Sequence, residues 1–145
     1  MAKFVFRLQS LLGLKEKLES QKEIEYGLAI KKLEEEREKE RLLKQRQADT
    51  LAGFTKQLET KIEPASIAQY NYFLEVLKEW IAAQETAVAA AVQFVEEKRL
   101  ELVEAMRERK SLEKLKENDL EAFIEEEKHD EQKQVDAVVS YKYGR

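Results

Sequence analysis

The chain has 145 residues, of which 26 are Lys or Arg and 30 are Asp or Glu, for a formal net charge of −4. Charged residues make up 39% of it, and four glycines with one proline leave too little turn material for most all-β and α/β folds. The acidic balance argues against a nucleic-acid partner, which calls for a basic stripe, and a chain without cysteine has no disulfide, thiol chemistry or cysteine-held metal.

A hydrophobic share of 43% is too high for disorder, and with so few breakers the sequence predicts long helices. The opening stretch intersperses its apolar residues with Lys3, Arg7 and Gln9, unlike a signal peptide, so the expected location is cytoplasmic. A first helix is expected over about 3–61. Phe4, Leu8, Leu11, Leu14 and Leu18 give it an apolar end. Tyr26, Ile30 and Leu33 continue a heptad pattern, and Leu51, Phe54 and Leu58 resume it in the same phase. Between them runs KKLEEEREKER, Lys31 to Arg41, in which ten of eleven residues are charged and the charges cancel. Pairs at i,i+4 each contribute about 0.2–0.5 kcal/mol, so this stretch is expected to be solvated and self-paired.

Pro64 is the single proline. It disfavours helical geometry at Glu63, and Ser66 with Gln69 fits a capping box, S-x-x-Q. The sequence therefore predicts a turn over about 62–66 and a second helix over about 67–140. That helix has the cleaner seam. Ile67, Tyr70, Leu74, Leu77, Ile81, Gln84, Val88, Ala91, Val95, Lys98, Leu102 and Ala105 step by three and four, and ten of the twelve are apolar. Arg109 and Lys116 interrupt it, and Leu112, Leu115, Leu120 and Phe123 resume with shifted phase. One turn and two seams predict an all-α fold, a long antiparallel two-helix coiled-coil hairpin forming a single domain over 1–145. With the bend near position 64, Phe4 falls close to Phe123 and Ile124, and the second helix overhangs by about 17 residues.

A second stripe lies about 100° around the second helix: Phe73, Val76, Trp80, Ala83, Ala87, Ala90 and Phe94. Its aromatic members are large for the flank of a two-helix seam, and the stretch expected opposite, 33–48, is mainly charged. Three readings stay open: a partner surface, cover by Arg and Lys stems, and self-association. Catalysis finds no motif. His129, the single histidine, sits among acidic residues on a helix with no pocket, and neither a metal nor a cofactor is expected.

Lys3-Phe-Val-Phe-Arg-Leu-Gln-Ser-Leu-Leu12 followed by Leu14 and Glu16-Lys17 resembles the opening of the flagellar FliJ family. So do Tyr70-x-x-Phe73-Leu74-x-x-Leu77-x-x-x-Ile81-x-x-Gln84, the block Arg109-Lys-Ser-Leu-Glu-Lys-Leu-Lys-Glu117, and the acidic tail with Glu131-Gln-Lys133 and Asp136. The resemblance covers essentially the whole chain. It implies a non-enzymatic, stalk-like adaptor of the flagellar type III protein export apparatus, cytoplasmic and peripheral to the membrane through its partners. Implied partners are the export ATPase hexamer, the cytoplasmic domain of the export gate, and export chaperones. By the resemblance, Tyr70, Phe73, Val76, Leu77, Trp80 and Gln84 would face the gate. Phe4, Phe6, Arg7, Leu8, Leu11, Leu12, Leu115, Leu120 and Phe123 would meet the ATPase. The competing classes are a generic structural coiled-coil scaffold and a stalk-like subunit of a rotary ATPase.

Overall fold

The computed structural model describes residues 2–144. Its regular structure, among the described residues, is two helices: α1, Gln9–Thr60, of 52 residues, and α2, Pro64–Tyr143, of 80 residues. The fold is all-α, a helical hairpin in which α1 and α2 pair antiparallel.

The helix bounds differ from those expected, for identifiable reasons. Residues 2–6 are not helical. Phe4, Val5 and Phe6 are poor helix formers, and Phe6 is buried. The Gln9 N–H donates to the Phe6 carbonyl at 3.1 Å, closing the turn that leads into α1. The connection between the helices is residues 61–63, shorter and earlier than 62–66. Pro64 starts α2, because the first turn of a helix has no use for the N–H that proline lacks. The Ile67 N–H then donates to the Glu63 carbonyl at 3.1 Å. Ser66 does not cap: its hydroxyl lies 3.4 Å from the Glu63 carboxylate, so the expected capping box is unused.

The molecule divides into two compact units. In residues 23–101 the core is Ala29, Leu77, Ile81 and Ala91, with Leu77 wholly buried. The α2 seam has the expected phase. The α1 seam keeps it only in part: Leu33 and Phe54 lie inward as expected, whereas Leu51 and Leu58 are exposed. Ala29, Leu33, Glu36, Leu43 and Phe54 occupy the inner side, and the Phe54 ring packs on Tyr70 with centroids 5.1 Å apart. Glu36, inside the charge run, is buried at 7% exposure, so that run is not wholly solvated.

The second unit comprises residues 2–22 with 102–144. Phe6, Leu12 and Ala105 are buried, and the Phe4 ring lies 5.6 Å from Phe123. Here the α2 seam keeps its phase through Leu102, Ala105, Arg109, Leu112 and Lys116. Arg109 and Lys116 are members of the seam, not interruptions, because each meets a polar partner on α1. Arg109 bonds Glu19, and Lys116 Nζ donates to Gln9 Oε1 at 2.8 Å. From Lys128 to Gly144 every residue is exposed.

Candidate functional site

The residues expected at the gate all lie in the unit 23–101, but on two different faces of α2. Leu77, with 0% exposure, is spent on the seam. Gln84 is also turned inward: its Nε2 donates to a Glu36 carboxylate oxygen at 2.6 Å and to the Glu36 carbonyl at 2.8 Å. Tyr70 is half-buried against Phe54. The outer face is carried by Phe73, Val76, Trp80 and Phe94, which recur at helical spacing beside the seam. Phe73 and Val76 are half-buried, while Trp80 is 48% and Phe94 46% exposed.

Cationic cover is present at the ends of this stripe. The Arg46 guanidinium stands 5.3 Å from the Phe73 ring centroid, and Lys98 Nζ stands 5.3 Å from that of Phe94. Lys98 is held in its charged form by hydrogen bonding to Glu101, with Glu25 of α1 adding to it. Trp80 lies between these two covered rings. Phe73 and Tyr70 also border a shallow cavity of about 300 Å³, completed by Gln57, Ser66 and Gln69. Phe94 was missed by the family resemblance yet belongs to the same stripe, and heptad spacing from Phe73 and Trp80 was its signal.

The residues expected at the ATPase gather in the other unit. Phe6 and Leu12 are buried and form its core. Phe4, Leu8, Leu115 and Phe123 are half-buried, and Arg7 is exposed. Leu11 and Leu120 each keep 39% of their surface. Val5, Leu14 and Ile124, outside the expected set, are exposed as well. This unit thus presents aliphatic side chains around an aromatic pair, bordered by the ion pairs Lys15–Glu108 at 2.9 Å and Arg109–Glu113 at 2.7 Å.

Both sets of residues are divided between the seam and the outer surface of the helices. Among the described residues, no three His, Cys, Asp or Glu side chains come together as they would around a metal ion. His129 lies on the exposed end of α2. No helix among the described residues is long and apolar enough to cross a membrane.

The fold is similar to that of a solved YscO homologue, CT670, from Chlamydia trachomatis. That likeness has a TM-score of 0.50 at 19% identity over 98% of this chain and 96% of the other. No curated protein sequence matches the chain. The model of the flagellar FliJ protein matches residues 4–145. With nearly the whole hairpin inside that match, the chain belongs to the flagellar FliJ protein family, a component of type III protein export.

Proposed function

We propose that this chain is a non-enzymatic adaptor of the flagellar export apparatus that joins two assemblies through its two units. The unit of residues 2–22 and 102–144 docks in the ring of the export ATPase. The unit of residues 23–101 offers the Phe73–Val76–Trp80–Phe94 stripe to the cytoplasmic domain of the export gate. Export chaperones are further partners, and the protein acts in the cytoplasm, reaching the membrane through those contacts. The observation that carries this reading is the exposure of Trp80 beside a fully buried Leu77: a large indole outside a seam that is already closed is surface held for something else. Leu77 and Gln84 contribute by holding the stripe in place from within.

The test is affinity capture with purified export ATPase and with the gate's cytoplasmic domain. Loss of ATPase capture on deleting residues 1–12, and loss of gate capture with Phe73→Ala/Trp80→Ala, is the expected pattern. Retention of both partners by both variants defeats the reading. A structural scaffold is the second reading, and Trp80 exposure also suits it. Light scattering after size exclusion separates them, since a scaffold that self-associates through the stripe becomes monomeric in Phe73→Ala/Trp80→Ala while an adaptor keeps its mass.

A further inference from the structure

A seam of leucine and alanine at heptad spacing tolerates sliding, because each knob finds an equivalent hole seven residues along. Two features in residues 23–101 bear on this. The first is at the turn. The sequence offers two starts for the second helix: Glu63–Pro64, which is used, and the Ser66–Gln69 capping box, which is not. Moving the turn by about three residues displaces the pairing by about twice that, close to one heptad, since the helices shift in opposite senses about the bend.

The second feature is in the seam. Glu36 is the buried charged side chain of the described residues, and its partner across the seam is Gln84. On its own helix Lys32 and Lys39 lie 2.9 and 3.4 Å from its Oε1. In a pairing slid by one heptad toward the later turn, Glu36 meets Ala91 and Gln84 meets Leu43. Neither side chain can hydrogen-bond, so a buried carboxylate and a buried amide lose their partners across the seam together. A slide the other way sets Glu36 against Leu77, with the same loss.

We propose that the Glu36–Gln84 pair is a register lock, a buried polar rung that selects the pairing with its turn at residues 61–63 over the heptad-slid pairing that the Ser66–Gln69 start would serve. Apolar residues at these two positions would pack as well in either register. The rung therefore confers singleness of pairing and little net stability, as single polar seam residues do in coiled coils. The register also decides which α1 side chains border the outer stripe, Arg46 over Phe73 among them.

The chain has no cysteine, so spin labels can be placed at Lys56→Cys and Ala83→Cys, both exposed. Pulsed dipolar spectroscopy on the full chain should give one distance. In Glu36→Leu/Gln84→Leu it should give two, the second displaced by about 10 Å along the axis, one heptad of rise, with helicity and melting temperature at or above those of the parent. Adding Ser66→Ala/Gln69→Ala should shrink that second component. Glu36→Gln/Gln84→Glu, which keeps a donor and an acceptor across the seam, should return a single distance. An unshifted single distance in Glu36→Leu/Gln84→Leu overturns the proposal, and so does an equal second component in the exchanged pair. Gln84→Leu alone is the milder variant, held to the same outcomes if the double substitution loses helicity.

Discussion

Arg109 of α2 faces Glu19 of α1 and, through Nη1, also bonds Glu113 one turn along its own helix at 2.7 Å. Both carboxylates, Glu19 first, hold the guanidinium in its charged form. A cation at this seam position is compatible with helix pairing in this unit because its long stem packs while its head reaches two anions.

Removing one partner should therefore cost more than removing both. Arg109→Ala leaves the Glu19 carboxylate, 12% exposed, without its principal partner. We expect Arg109→Ala to melt below the parent, and Arg109→Leu/Glu19→Leu to melt at or above it, by circular dichroism at neutral pH. If the double variant melts below Arg109→Ala, a Glu19 carboxylate left without Arg109 is not what costs stability, and the two-anion account of this position fails.

Glu36 gives the chain an acid-sensitive contribution. Hydrogen bonds from Lys32 first, then Gln84 and Lys39, hold its carboxyl at about 2, well below its ordinary 4.5, against the opposing effect of burial. A carboxyl whose folded pKa is depressed binds its proton more readily in the unfolded chain. Its stabilisation is thus complete above about pH 5 and disappears as pH falls toward 2. Urea melts of the parent and Glu36→Gln should differ by a constant amount from pH 7 to about pH 5 and converge between about pH 4.5 and 2. A difference that persists unchanged at pH 2 would mean the carboxylate charge is not what Gln84 and Lys32 recognise.

Helix content, the single turn and the α2 seam were legible because each rests on spacing that local sequence displays. Ile67 through Ala105 needed only counting by three and four, and Leu77, Ile81, Ala91 and Ala105 are buried where that count put them. What stayed hidden were three polar members of the seam, Glu36, Arg109 and Lys116, whereas Gln84 and Lys98 were already in the count. Arg109 and Lys116 looked like breaks, and Glu36 looked like one more charge in a charged run, because their partners, Glu19, Gln9 and Gln84, are distant in sequence. Leu51 and Leu58 misled for the complementary reason: in an α1 seam containing Glu36, the apolar residues no longer mark the inner side by themselves. The turn was displaced because two helix starts lie within a few residues, and the choice between them is made by tertiary pairing. At the candidate docking stripe, the heptad count already separated Leu77 and Gln84, in the seam, from Phe73, Val76, Trp80 and Phe94 outside it; the set that the resemblance implies mixed the two faces.

Gly27 is helical and exposed, without positive φ, and a Cβ built on it meets nothing within 4 Å. Glycine inside a helix costs about 0.5–1 kcal/mol relative to alanine. Gly27→Ala should accordingly raise unfolding free energy by about that amount in urea melts. Gly53→Ala should gain no more, since the Tyr70 hydroxyl lies 3.6 Å from the added Cβ, an ordinary contact. Destabilisation by Gly27→Ala would show that the α1 backbone there is needed close against another surface in solution.

Trp80 and Ile81 are neighbours about 100° apart on α2, and they separate stability from docking. Ile81 is a buried seam residue, whereas Trp80 keeps nearly half its surface in water. Ile81→Ala opens a cavity against α1 and should cost about 2–5 kcal/mol of folding free energy. Trp80→Ala removes a side chain already half solvated and should cost about 1 kcal/mol, the ordinary scale of a point substitution. Under the proposed function the order reverses for binding. Trp80→Ala should weaken capture of the gate's cytoplasmic domain by about 2 kcal/mol or more, as loss of an aromatic anchor does. Ile81→Ala should bind normally wherever the hairpin remains folded. Equilibrium urea melts give the first pair of numbers and titration calorimetry gives the second. Should Trp80→Ala destabilise the free protein as much as Ile81→Ala while gate affinity is untouched, the stripe is a second packing surface of this chain and the gate docks elsewhere.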